Sequence, residues 1–417
     1  MKKNSIFILL LAATLGYSLT ACEKDDTDFS SYINGSGEEQ EEPVDDPTED
    51  PVDDPTDTPA DSATIDSTLV AGADTIYICF SGTTAEVTGD EHNYVSVSGA
   101  DVTVNALEAD TTMLLVLSGS SSDGSLLVYR QKMFTIQLNG LALTNADGPA
   151  INNQCGKALY IETVSGTDNT LADGSSYADA PTDGDGMPID QKGALFSEGQ
   201  IYFTGAGTLT VNGNSKNGIA SDDYIVVQGG TIEVNVSEDG SNGIKVNDGI
   251  DIEGGSLKIT VKADGARGIR SEAYANVSGG TTTITTSGDC EIETVDGVRD
   301  TTSAAGIKCD STFTMTAGML TIKSSGDGGK GINSTGAVIF SGGTLSVTTT
   351  GSNDDGKPKG IKSDKAIIVS SGSFSVSVKK SWALDNGTDS ETPSDRITVQ
   401  GSPATKTIEK RSVVIKY

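Results

Sequence analysis

Six Gly-Ile dipeptides set the phase of the second half of this chain: Gly218-Ile219, Gly243-Ile244, Gly268-Ile269, Gly306-Ile307, Gly331-Ile332 and Gly360-Ile361. They are spaced 25, 25, 38, 25 and 29 residues apart. A second mark follows each first glycine by 11 residues in every unit, at Gly229-Gly230, Gly254-Gly255, Gly279-Gly280, Ala317-Gly318, Gly342-Gly343 and Ser371-Gly372. Extra residues therefore fall only before the next Gly-Ile, which is the signature of a solenoid with insertions on one side.

Each unit reads as three short strands. Counting from the glycine, position +1 is Ile throughout, and +7 and +9 carry pairs such as Ile225/Val227, Ile250/Ile252 and Phe313/Met315. Positions +14 and +16 carry Ile232/Val234, Leu257/Ile259, Leu320/Ile322 and their equivalents. Apolar residues two apart with small polar ones between them follow the strand period. A glycine pair after the second strand supplies a corner where a Cβ would clash. No window has helical spacing, so βαβ units and helical repeats are excluded, and the Leu/Asn frame of leucine-rich repeats is missing. The class that remains is all-β, a parallel β-helix of about 25-residue coils stacked about 4.8 Å apart.

The flanks divide the chain further. Lys2 and Lys3 precede an apolar run, Ile6 to Leu15, too short to span a bilayer. It ends in Leu19-Thr20-Ala21-Cys22, which resembles the lipobox of bacterial lipoproteins. That resemblance implies removal of residues 1–21 and lipidation of Cys22. Glu23-Lys24-Asp25-Asp26 is similar to the acidic surface-export signal of Bacteroidetes-type lipoproteins, so the expected location is the outer membrane, facing outward. Residues 22–66 hold 17 acids against one lysine, with Pro-Val-Asp-Asp-Pro-Thr repeats, and read as an extended tether. Residues 67–378 form the β-helix and 379–417 a cap, the pattern stopping past Lys379. Within the helix, short segments from Ile76 to Leu138 make the first coils, with Asn139-Gly140 as a corner. Residues 165–192 read as a long polar insertion.

Stacking turns each repeat position into a row. At +2 the row holds Ala220, Lys245, Arg270, Lys308, Asn333 and Lys362. At +4 it holds Asp222, Asn247, Glu272, Asp310, Thr335 and Asp364, with Asp223 and Asp248 at +5. Asp239, Asp264 and Asp327 stand four residues before a Gly-Ile, and Asp354-Asp355 occupy the widened corner. Like charges stacked at about 5 Å repel by roughly 1 kcal/mol even in water. Carboxylate rows therefore call for cations, and Ca²⁺ takes six to eight such oxygens. A mutually screened, solvated array answers the same observation. Lys245, Arg270, Lys308 and Lys362 suit a regularly repeating anionic chain, or else pair with the acids beside them.

Little points to catalysis. His92 is the one histidine and stands outside the repeat, and no Ser/His/Asp set, zinc spacing or phosphate loop is present. A calcium-dependent lyase needs an arginine base, for which Arg267, Arg270 and Arg299 stand equal. With Cys22 lipidated, Cys290 and Cys309 could form a disulfide or stay as two buried thiols. Aromatics make up 5% of the chain with a single Trp, which argues against stacking platforms for neutral sugars. Residues 67–417 keep 42 acids against 25 Lys and Arg, which excludes nucleic acid as a natural partner.

Thr167-Asp168-Asn169-Thr170-Leu171-Ala172-Asp173-Gly174, Gly207-Thr208-Leu209-Thr210-Val211-Asn212-Gly213-Asn214 and Lys216-Asn217-Gly218-Ile219-Ala220-Ser221-Asp222-Asp223 together resemble a known family. It is the carbohydrate-binding domain of lipoproteins and cell-surface proteins in Clostridia and Bacteroidetes. The resemblance spans about Ile76 to Val378. It implies a right-handed parallel β-helix similar to polysaccharide lyases, bound calcium, and binding of plant-type polysaccharide, acidic or cellulose-like, without established catalysis. Carried onto this chain, the metal-binding acids are Asp222, Asp223, Asp239, Asp248 and Asp264. Asn242, Arg267 and Lys330 stand where the family usually has Asp before Gly-Ile. The expected role is a calcium-stabilised, surface-anchored glycan binder, for polygalacturonate among other chains, with a structural adhesin or surface-layer protein and a lyase as the alternatives.

Overall fold

A computed structural model describes residues 73–417 except 185, 296–297 and 354–355. Cys22, the tether and Asp354-Asp355 lie outside the described residues. The described chain is a β-solenoid of about 11 turns. The first strands of successive coils form one 12-stranded sheet, and the second and third strands together form a 23-stranded sheet. Between Asn217 and Val378 neighbouring coils pair parallel and in register: Ile219, Ile244, Ile269, Ile307, Ile332 and Ile361 stand directly beside one another. The 25-residue spacing thus returns the chain to the same lateral position, and each isoleucine is buried on the previous one. Each such burial contributes roughly 1.5–3 kcal/mol relative to exposure.

The repeating glycine has a specific task. A Cβ on Gly243 would lie 2.5 Å from Ile259 Cγ2 and 2.5 Å from the carbonyl oxygen of Gly268. The first strand therefore presses directly on the third strand of its own coil and on the backbone of the next. After the second strand, Gly255 and Gly280 adopt φ +66° and +64°, a left-handed corner that side-chain-bearing residues resist. Buried serines at the end of the first strand close the next corner: Ser221 Oγ donates to the Gly199 carbonyl at 2.9 Å and Ser363 Oγ to that of Gly336 at 2.8 Å.

Three expectations change in detail. Asp168–Ala172 is not insertion but the third strand of its coil, paired with Phe134–Thr144 and Thr208–Gly213. Its Asn169 and Leu171 are buried, so polar composition concealed a strand. Asn139-Gly140 bends the chain at φ +75° for Gly140 but lies inside one continuous strand, Phe134–Thr144. That strand pairs first with Leu159–Thr163 and then with Asp168–Ala172. The coil pattern also continues past Lys379. Trp382–Asp385 pairs parallel with Lys359–Ser363, burying Ala383 and Leu384 without a Gly-Ile to mark it.

Beyond that coil, Ser412–Lys416 runs antiparallel to Ser373–Val378 and pairs with Thr405–Ile408. At the other end, Asp74–Ser81 folds back on Thr84–Thr88 and Val95–Ser98 on Asp101–Ala106. Antiparallel hairpins at both ends of the described helix interrupt the parallel stacking that would otherwise template another chain. Cys290 and Cys309 are both free, because Cys309 is buried in the core while Cys290 sits in the excursion that precedes its coil.

Gly243→Ala is expected to destabilise the protein by roughly 2–4 kcal/mol through overpacking. Gly156→Ala, whose Cβ would meet nothing within 4 Å, serves as the control. Urea unfolding followed by circular dichroism checks the difference, and equal midpoints would refute the close-approach role.

Candidate functional site

The outer face of the first-strand sheet changes character along the helix. In register it runs Asn152, Phe196, Ala220, Lys245, Arg270, Lys308, Asn333, Lys362 and Asp385. The four cations named from the sequence therefore do line up on consecutive coils, interrupted once by Asn333. None stands alone. Lys245 pairs with Glu272 of the next coil at 3.0 Å, Arg270 and Lys308 share Asp310, and Lys362 pairs with Asp364. Burial pushes the Asp310 carboxyl up, but Lys308 and Arg270 outweigh it and hold it below the usual carboxylate range. The basic and acidic rows thus compensate one another across coils.

A second cationic column stands in the position just before the glycine, where Arg267, Ala305, Lys330, Lys359 and Trp382 are in register. Lys359 is paired with Asp385 at 2.8 Å, which also takes Arg396 at 3.1 Å. Lys330 is 8% exposed and donates to Ser303 Oγ. Burial first, and then the charges of Lys362, Lys359 and Arg267, hold its ammonium down to about 8. Burial and Arg270 likewise lower the Arg267 guanidinium. From the sequence, Arg267 and Lys330 stand out only as departures from the family's Asp before Gly-Ile; the register adds Lys359 and makes them a column, which Asn217, Asn242 and Ala305 interrupt in other coils.

The five predicted metal-binding acids do not converge. Asp222, Asp223 and Asp248 lie at the corner after the first strand, whereas Asp239 and Asp264 lie at the corner before it. At the latter corner carboxylates build a ladder: Asp264 Oδ1 accepts from the Asp289 N–H at 2.7 Å, Asp289 Oδ1 from the Asp327 N–H at 2.7 Å, and Asp327 Oδ1 from the Ser352 N–H at 2.8 Å. Backbone donors of the next coil supply part of the compensation assigned to cations from the sequence. At the former corner, Asp223 accepts from Gln200 Nε2 and from the Tyr224 N–H, and burial followed by Asp248 raises its pKa.

One group of carboxylates does come together. Asp190, Glu198 and Asp222 bring carboxylate oxygens within 4.8 Å of one another, an all-oxygen set that suits a hard cation such as Ca²⁺. Lys192 bridges Asp190 at 2.6 Å and Asp222, so its ammonium already stands among them and calcium would have to displace it. Burial, then Asp222 and Asp190, raises the Glu198 carboxyl. Beside this group, the excursion around Ser175–Lys192 and residues Ser215 and Lys216 enclose a cleft of about 630 Å³.

Tyrosines gather on the second-strand face instead. Tyr160 and Tyr202 stack with centroids 4.9 Å apart, Tyr224 meets Tyr202 edge-on at 5.8 Å, and Tyr274 hydroxyl donates to Asp251 at 2.7 Å. The Tyr160 and Tyr202 faces are turned to each other, so no flat sugar platform forms between them. Elsewhere, His92 Nε2 lies 3.7 Å from Asp74 Oδ2 with its side chain 53% exposed, and the same oxygen accepts from Thr111 Oγ1 at 2.5 Å, so that hydroxyl is engaged with the carboxylate and not with the imidazole.

Because the folded Lys330 releases its proton near pH 8 and an unfolded lysine near 10.5, the folded state binds fewer protons between those values. Its charge therefore destabilises the fold fully below pH 8, and the penalty fades as pH rises toward 10.5. Lys330→Met is expected to raise stability at pH 7 by roughly 1–3 kcal/mol and by nothing measurable above pH 10.5. Paired urea melts at the two pH values check this, and a destabilised variant at pH 7 would refute it.

The profile of one protein family, described as carbohydrate-binding domain-containing protein, matches residues 98–290 and 265–356. A protein of the same description from Acetivibrio thermocellus is 30% identical over 149 residues, 35% of this chain and 50% of that protein. This chain thus spans about half the length of that relative. The solved structure of the polysaccharide lyase-like protein from C. thermocellum, a gadolinium derivative, is 26% identical with a TM-score of 0.48, covering 64% of this chain and 96% of its own. The family profile extends over more than half of the sequence, from residue 98 to residue 356. The chain belongs to the carbohydrate-binding domain-containing protein family.

Proposed function

We propose that this protein is a non-catalytic binder of polysaccharide, held at the outer surface of the cell through a lipidated Cys22 and favouring acidic glycans. The observation that carries the reading is the cationic face of the first-strand sheet. In residues 67–417, where acids outnumber bases by 42 to 25, Lys245, Arg270, Lys308 and Lys362 still align on neighbouring coils. A row with one charge per coil of about 4.8 Å offers a repeating polyanion successive contacts on a rigid track. The sharing of Asp310 between Arg270 and Lys308 leaves two cations for one acid at the centre of that row. A uronate chain there exchanges intramolecular ion pairs for intermolecular ones. The electrostatic share of such binding weakens with salt.

Calcium enters the same proposal as a structural ion near Asp222, with Asp190 and Glu198 as companions in place of Asp239 and Asp264. Burial and then the charges of Asp222 and Asp190 raise the Glu198 carboxyl; the ion would relieve that repulsion and free Lys192 to point elsewhere. A calcium-dependent lyase of the pectate type is a second reading, favoured by one observation: Lys330, held near pH 8 between Arg267 and Lys362, has the proton affinity of a general base.

Native gels containing polygalacturonate are expected to retard the soluble 67–417 fragment. Arg270→Ala plus Lys308→Ala should lose most of that retardation, and 0.5 M salt roughly as much. Equal mobility with and without the polymer would refute acidic-glycan binding. Rising ultraviolet absorbance from unsaturated sugar ends would establish the lyase instead. Chelator is expected to lower the melting temperature of the wild type by several degrees and that of Asp222→Asn by much less. An unchanged wild-type melt would remove calcium from the proposal.

A further inference from the structure

The two cationic columns differ in how their charge is met. Every named cation of the outer row has a carboxylate within ion-pair distance, and Lys359 has Asp385. Among the described residues, Arg267 and Lys330 have none. Arg267 Nε is buried and without a hydrogen-bond partner, and Lys330 Nζ donates to the neutral Ser303 hydroxyl. Moving an ammonium and a guanidinium out of water without an anion is costly, and each cation beside them adds to the cost. Among the described residues, the groups around Lys330 come from three elements. The preceding strand brings Lys308 and Asp310, which are engaged with each other, and the following strand brings Lys359 and Lys362. The excursion before Ser303 brings Cys290 and Glu291, whose effects are felt at Lys330 and Arg267 respectively, and Arg267 itself stands two coils back. Among the described residues, these two cations are short of negative charge in an otherwise acidic protein.

We propose that Arg267 and Lys330 form a carboxylate-binding subsite in which one uronate carboxylate of the bound glycan supplies the missing counter-charge, and that the protein releases this carboxylate when Lys330 gives up its proton. The subsite rests on the polysaccharide-binding reading and deepens it. It names the group on the sugar that is recognised and the residue that gates the recognition. Arg267 keeps its charge across the physiological range and anchors the anion, its fork able to grip both carboxylate oxygens. Lys330 is the variable partner, because its neighbours are cations that favour the neutral amine until an anion arrives. Burial pushes the nearby Cys290 thiol up, so that thiol does not take over the titration. Bound carboxylate and bound proton therefore reinforce each other at the amine.

The test compares retardation in polygalacturonate gels at pH 6.5 and pH 9.5 for the 67–417 fragment as wild type, Lys330→Arg and Lys330→Met. The wild type is expected to lose about tenfold in affinity between the two pH values. Lys330→Arg should hold its affinity at both, and Lys330→Met should be weak at both although folded. Fully methyl-esterified polymer, which lacks the carboxylates, should not respond to pH or to either substitution. A wild type bound equally well at both pH values, or Lys330→Met bound like the wild type, overturns the subsite while the polysaccharide reading stands. If the wild type ignores the polymer at pH 6.5, the polysaccharide reading fails and a second measurement judges the subsite. Sodium galacturonate should then raise the melting temperature of the wild type at pH 7 but not that of Lys330→Met. No rise in the wild type overturns the subsite as well.

Discussion

The close approach of glycine to the neighbouring coil is the contact on which the rest depends. With Gly243, Gly268 and their equivalents against the carbonyl of the next coil and the branched side chain at +16, each first strand can sit in only one position along the helix. That single phase fixes the isoleucine column, and the column fixes every other row, because a slip of one residue would turn the apolar set outward. Excursions of different length are tolerated because they leave and return at one corner without touching this contact. Thus 25-, 38- and 29-residue units share one core.

A rigid register changes what surface charge can do. On an irregular protein, scattered lysines and aspartates pair by chance and contribute little. Here the same pairing recurs coil after coil, so Lys245, Arg270 and Lys308 are held at fixed spacing by acids one coil away or in their own coil. The acids both neutralise and position them. The carboxylate ladder Asp264, Asp289 and Asp327 works in the opposite sense: backbone donors of the next coil meet its charge, and the ladder ties corner to corner. Acid rows that look alike in sequence therefore serve two purposes, one orienting cations and one stitching the solenoid.

The imbalance falls where the two cationic columns lie side by side. The outer column faces solvent and is paired. The inner one is covered, so its ion pairs would need buried carboxylates, and among the described residues Arg267 and Lys330 have none. A buried, unpaired cation reduces stability, and its persistence beside a line of paired cations distinguishes it from solvated surface charge. The tyrosine group shows the contrasting case: Tyr160 and Tyr202 stack in register, Tyr224, two positions off, meets Tyr202 edge-on, and the three satisfy one another.

Local sequence determined the class of fold, the number of strands per coil and the residues inside it, since side-chain alternation and the demand for glycine at a close contact are local and repeat at a visible interval. It also determined that Lys245, Arg270, Lys308 and Lys362 share a row, because a fixed period makes position in the repeat equivalent to position in space. Tertiary structure alone decided the rest. It separated Asp222, Asp223 and Asp248 from Asp239 and Asp264, since corners far apart around a coil can be close in sequence. It brought Asp190 to Asp222 through an excursion with no period to read, and set Glu198 beside Asp222 at the equivalent corner of the preceding coil. It recovered Asp168–Ala172 as a strand and Trp382–Asp385 as a further coil, where burial rather than composition defines the element. Finally, it distinguished paired cations from unpaired ones, because burial and counter-charge depend on what folds over a residue and not on its place in the repeat.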